Sequence, residues 1–158
     1  MDDLYSEKLN NDIEPITFPI DLNEDITLLQ LIQRFNQSPQ TPHMILYFVC
    51  GKTSPKFIDI VPFINFIKTT VQSNIEIVYR GYIHLNLLDI FLEFEKIHVN
   101  SNCQLIFDKN LVHDAIKSLT KNRSILQAFL GQFYFSKSSS IIDIDEVQSM
   151  GFTNIIKF

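Results

Sequence analysis

The run Met44-Ile45-Leu46-Tyr47-Phe48-Val49-Cys50 constrains this chain more than any other stretch. Seven residues with hardly a polar interruption cannot alternate between core and water. A strand of that composition belongs in a sheet covered on both faces, which is the signature of parallel pairing. The fold class that follows is α/β, a mostly parallel sheet flanked by helices.

Neighbouring segments have the period such a fold needs. Ile16 to Ile20 is a short strand, and Ile26, Leu29, Ile32 and Phe35 recur at helical spacing. After the apolar strand, Ser54-Pro55 predicts a helix start, with Ile58, Val61, Ile64 and Ile67 continuing it and Pro62 bending it. Ile75 to Tyr79 reads as the next strand, Gly81 as its turn, and Leu85 to Phe94 as an apolar helix. Short strands follow at Ile97 to Val99 and Gln104 to Phe107. Helices are predicted from Asp108 through Leu119 and from Ile125 to Phe135, and Gln132 to Ser140 reads as a surface loop. Asp143-Ile144-Asp145-Glu146 has the spacing of a capping box, Gly151 closes that helix, and Thr153 to Lys157 is a last strand. Residues 1–14 are polar and aperiodic and are expected to be a flexible lead-in, leaving 15–158 as a single domain.

Composition narrows the function classes. The chain has 158 residues, the size of one domain, and a formal net charge of −5 without a basic stripe, so no nucleic acid is expected as partner. Its apolar runs are too short to span a bilayer, and the acidic start Met1-Asp2-Asp3 is no secretory leader, so no membrane partner and a cytoplasmic location are expected. The two cysteines, Cys50 and Cys103, have no CxxC partner, which points to buried free thiols rather than a metal site. No metal and no cofactor is expected.

In order and spacing, Ile16-Thr17-Phe18-Pro19-Ile20, the segment Leu46 to Thr53, and Asp145-Glu146-Val147-Gln148-Ser149-Met150-Gly151-Phe152 resemble the proteolytic subunit of the ATP-dependent Clp protease. More loosely they resemble the wider crotonase-like superfamily. The resemblance spans residues 15–158 and implies a Clp-protease/crotonase-like ββα spiral. It also implies departures. The glycine pair of the oxyanion loop falls on Gly51 and Lys52, keeping one glycine. The nucleophile position falls on Leu85, beside Asn86, and the histidine position on Phe107. No Asp or Glu stands between 123 and 140. Losing triad members costs about four to six orders of magnitude in turnover, so the resemblance implies a catalytically degenerate pseudo-peptidase domain, serving as an oligomeric or partner-binding scaffold.

The alternative is a hydrolase or acyl-transfer enzyme with a relocated site around Cys50, Gly51 and His84. Cys50 as a low-pKa thiolate, and His84 paired with Asp89 or Glu93, would supply nucleophile and base. The bland readings are a buried structural cysteine and a surface histidine. Acyl-CoA chemistry would need two converging backbone amides and an acidic residue, and no adenine-binding segment is visible. The aromatic residues Phe57, Phe63, Phe66, Phe91 and Phe94 read as core, with part of that face available to a neighbouring subunit.

Overall fold

The computed structural model describes residues 15–84, 87–107, 140–149, 152 and 154–158. Strand β1 (Ile16–Asp21) pairs in parallel with β2 (His43–Cys50), and β2 pairs in parallel with β3 (Asn74–His84). β3 continues in parallel to β4 (Ile97–Val99), and β4 to the final strand (Ile155–Lys157). Beyond Gly81, β3 pairs instead with β5 (Gln104–Phe107), and β5 carries one antiparallel neighbour, β6 (Ser140–Asp143). The final strand is therefore β7. The sheet is mostly parallel, as the uninterrupted apolar run in β2 requires.

Register explains which residues form the core. Phe18, Leu46, Ile77, Ile97 and Ile155 lie side by side on one face and are all buried. Helix α1 (Leu28–Gln37) packs Leu31 and Phe35 into this layer, and α2 (Ile60–Thr70) adds Ile60, Phe63, Ile64 and Ile67. Phe35 meets Phe18 and Phe66 edge-on, at 5.1 and 5.9 Å between ring centroids. The short helix α3 (Leu88–Glu93) sets Phe91 against Tyr79 at 5.4 Å. Of the five phenylalanines singled out above, Phe57, Phe63 and Phe91 are fully buried and Phe66 and Phe94 partly so.

Local chemistry sets the element ends. Thr27 opens α1 with a reciprocal box: its hydroxyl accepts from the Gln30 amide at 3.1 Å, and the Gln30 side chain accepts from the Thr27 amide at 3.0 Å. At the last described helix, α4 (Ile144–Ser149), the expected cap is present, with the Glu146 amide donating to Asp143 Oδ1 at 2.9 Å.

Five sequence expectations are corrected. Ser54-Pro55 does not start the second helix, which begins only at Ile60 after Asp59. Pro62 consequently falls in the first turn, where its missing N–H has no partner to lose, and it does not bend the helix. Gly81 is no turn: β3 runs straight through it for 11 residues. α3 begins at Leu88, later than Leu85. The stretch read as a loop up to Ser140 ends in β6, whose four residues pair with all of β5. Residues 1–14 and both helices expected between Asp108 and Phe135 lie outside the described residues. Among the described residues no helix is long and apolar enough to cross a membrane.

Candidate functional site

Gly81 is the mechanical centre of the candidate site. Its φ of +103° is costly for any L residue, and a Cβ placed there would lie 2.1 Å from the Cys50 carbonyl oxygen. The missing side chain lets β2 and β3 close against each other where Cys50 pairs with Gly81, while β3 passes from β4 to β5. The loop after β2 therefore leaves the sheet at the point where β3 changes partner, the position in an open α/β sheet where ligands gather.

One side chain organises that loop. Asn23, just past β1, accepts the Gly51 N–H on its Oδ1 at 2.5 Å. Its Nδ2 reaches the Thr53 carbonyl at 2.9 Å, the Thr53 hydroxyl at 3.2 Å and the Ser54 carbonyl at 3.3 Å. On the far side, His84 Nε2 stands 3.1 Å from the Gly51 carbonyl oxygen. Both backbone polar groups of Gly51 are thus engaged within the chain. Lys52 is exposed beside it.

Of the residues singled out from the sequence, Cys50, Gly51 and His84 come together at this corner. The chemistry of Cys50 is set by where its side chain goes. It points into the core at 1% exposure, and burial pushes its thiol up to about 11, with the Asp21 charge adding to the rise and a Tyr79 hydrogen bond opposing it. Below it, the Tyr79 hydroxyl donates to the Tyr82 carbonyl at 2.6 Å, and burial raises that phenol well above its usual range. Cys103 is also a free, buried thiol raised by burial, and its Sγ lies 3.7 Å from the Tyr79 carbonyl. Glu93 is ion-paired with Lys68 at 3.2 Å. Leu85 lies outside the described residues, as does the acid-free stretch from 123 to 139. Phe107 is described as the last residue of β5 by its backbone alone.

Asn23 was not singled out from the sequence, and its contact with Gly51 spans 28 positions. The local hint is its place two residues past β1, where Asn commonly serves a turn.

No protein-family model matches the chain, and no curated protein does. Among solved structures, the crystal structure of an enoyl-CoA hydratase/isomerase from Pseudoalteromonas atlantica T6c is similar to it at a TM-score of 0.51 and 13% identity. The match covers 89% of this chain and 66% of that one. By architecture the molecule is an α/β domain with a mostly parallel sheet flanked by helices. More particularly, its fold is crotonase-like, and the chain spans 66% of the length of that neighbour.

Proposed function

We propose that this chain is a catalytically degenerate crotonase-like domain, a Clp-protease-like pseudo-peptidase that self-associates or holds a partner protein. The observation that carries the reading is Asn23. An oxyanion site works through an N–H aimed at a position left free for the substrate oxygen. At Gly51, the place of the oxyanion loop in the family resemblance, the Asn23 side-chain oxygen already occupies that position. The three contacts of its Nδ2 anchor the amide so that no substrate carbonyl displaces it cheaply.

The state of Cys50 supports the same reading. With its thiol pushed up to about 11, only on the order of one molecule in ten thousand carries a thiolate at pH 7. The partner-binding half of the proposal draws on the exposed apolar side chains Leu29, Ile58 and Val61. They stand in or just before the first turns of α1 and α2, helices that follow parallel strands, so they share one end of the sheet. Two free thiols suit the reducing cytoplasm, where this reading places the protein.

A relocated hydrolase or acyl-transfer site is the second reading, favoured by His84 standing 3.1 Å from the carbonyl next to Cys50. Assays of ester, peptide and acyl-thioester turnover on wild type, Cys50→Ala and Asn23→Ala decide between them. The scaffold reading expects background rates in all three. Turnover in wild type that Cys50→Ala abolishes overturns it. Light scattering behind size exclusion then tests self-association directly, with a concentration-independent multimer expected if the domain binds itself and a monomer if its partner is another protein.

A further inference from the structure

We propose that the depression lined by Arg80, Gly81, Asn100 and Asn102 is a binding site for a small molecule bearing one carboxylate. The depression is open to solvent, with a volume of about 320 Å³, at the lower end of the range for small-molecule pockets. It lies at the carboxyl ends of β2 and β4, where β3 exchanges β4 for β5, and shares Gly81 with the Gly51 corner.

Its polar side chains supply donors from Arg80 and from the amides of Asn100 and Asn102. The Arg80 guanidinium is exposed and makes no hydrogen bond or ion pair with any described residue, and its planar fork can hold a carboxylate through two parallel hydrogen bonds. Asn100 Oδ1 accepts the Asn102 N–H at 2.9 Å, which fixes the orientation of the amide and leaves its Nδ2 as a donor. The supporting turn is rigidly held. The Asn100 N–H donates to the Tyr79 carbonyl at 3.1 Å, Cys103 N–H to the Asn100 carbonyl at 2.9 Å, and Ser101 N–H to the Phe158 carbonyl at 2.8 Å. Among the described residues no acidic side chain lines the depression.

The charge balance selects a monoanion. One guanidinium compensates one negative charge, Asp21 lies on the same sheet row as Arg80 with Val49 between them, and the whole chain carries −5. A phosphate dianion would face that field with a single counter-charge. A planar carboxylate also matches the two parallel donors of arginine.

Titration of the ¹⁵N-labelled full chain at constant ionic strength tests this, with sodium butyrate in one arm and inorganic phosphate in the other. Butyrate is expected to give saturable shifts at Arg80 Nε–H and at the Asn100 and Asn102 side-chain amides, and phosphate to bind several-fold more weakly. Arg80→Gln should weaken butyrate binding about tenfold or more. Asn100→Asp keeps the acceptor for the Asn102 N–H, so the turn is retained while the added charge abolishes binding. Shifts that rise linearly without saturating, or equal affinity in wild type and Arg80→Gln, overturn the site, and tighter binding of phosphate than butyrate overturns its assignment to a carboxylate.

Discussion

Replacing Gly81 with alanine tests the central mechanical claim, that β2 and β3 can close only because this position has no side chain. Two costs add. A non-glycine residue held at positive φ costs roughly 1–3 kcal/mol. The new methyl would also sit 2.1 Å from the Cys50 carbonyl oxygen and 3.1 Å from its carbon, both backbone atoms in a paired strand that cannot swing aside. Relieving the overlap separates the strand ends and weakens one or two ladder hydrogen bonds, at about 1 kcal/mol each. Together these give a loss of roughly 2–5 kcal/mol, a large share of the about 5–15 kcal/mol stability of an ordinary domain. In urea, with a slope of about 2 kcal/mol per molar, the midpoint should fall by roughly 1–2.5 M. Gly51→Ala is the internal control: its φ is not positive, and the nearest atom to an added Cβ is the side-chain oxygen of Asn23 at 3.0 Å. That variant should lose no more than about 1 kcal/mol. A midpoint for Gly81→Ala within about 0.5 M of wild type, or equal to that of Gly51→Ala, refutes the reasoning.

Phe35→Ala empties a fully buried site between Phe18 and Phe66 and should cost about 3–5 kcal/mol by equilibrium denaturation. Thr27→Ala removes the α1 cap and should cost about 1 kcal/mol, with faster amide exchange confined to the first turn as the local readout. Iodoacetamide at pH 7–8 should leave Cys50 unmodified in the native protein and label it readily in denaturant; fast native labelling would sink the buried-thiol assignment. The same burial sets an alkaline limit. A thiol raised from 9.0 to about 11 holds its proton more tightly folded than unfolded, so its stabilising contribution is complete below pH 9 and is lost as pH climbs toward 11. Tyr79, raised in the same direction, steepens that loss, and a urea midpoint unchanged between pH 8 and 11 would contradict both.

Much of the architecture was legible because it is written in patterns of a few residues. The apolar run of β2 announced a parallel sheet, and Asp143 before Glu146 announced a helix cap that the geometry supplies. The misreadings share one cause, that local punctuation is ambiguous without its surroundings. Ser54-Pro55 carries a start signal, yet Asn23 draws the Thr53 and Ser54 carbonyls into a loop and delays the helix to Ile60. Gly81 looks like a turn because glycine usually permits one, whereas here its bare α-carbon permits a strand to continue past the Cys50 carbonyl. The candidate site was legible in part: Gly51 and His84 do meet, but Cys50 turns its thiol into the core, and the partner that closes the loop, Asn23, lay out of reach of any local rule.

The sequence by itself determined the class of fold, since burying an uninterrupted apolar strand leaves a chain this size few options besides a covered parallel sheet. Strand and helix periods also pointed to much of the core, such as Phe35, Ile64 and Ile67, but not to all of it: Leu29, Ile58 and Val61, read from the sequence as part of the apolar helix faces, are exposed, and Leu31 is buried in their stead. Tertiary structure alone decided which groups remain available for chemistry. Whether the Gly51 amide is open or filled, whether the Cys50 thiol ionises, and whether Arg80 faces a concave surface each depend on atoms brought from distant strands, whose desolvation and hydrogen bonds exist only once the sheet has closed.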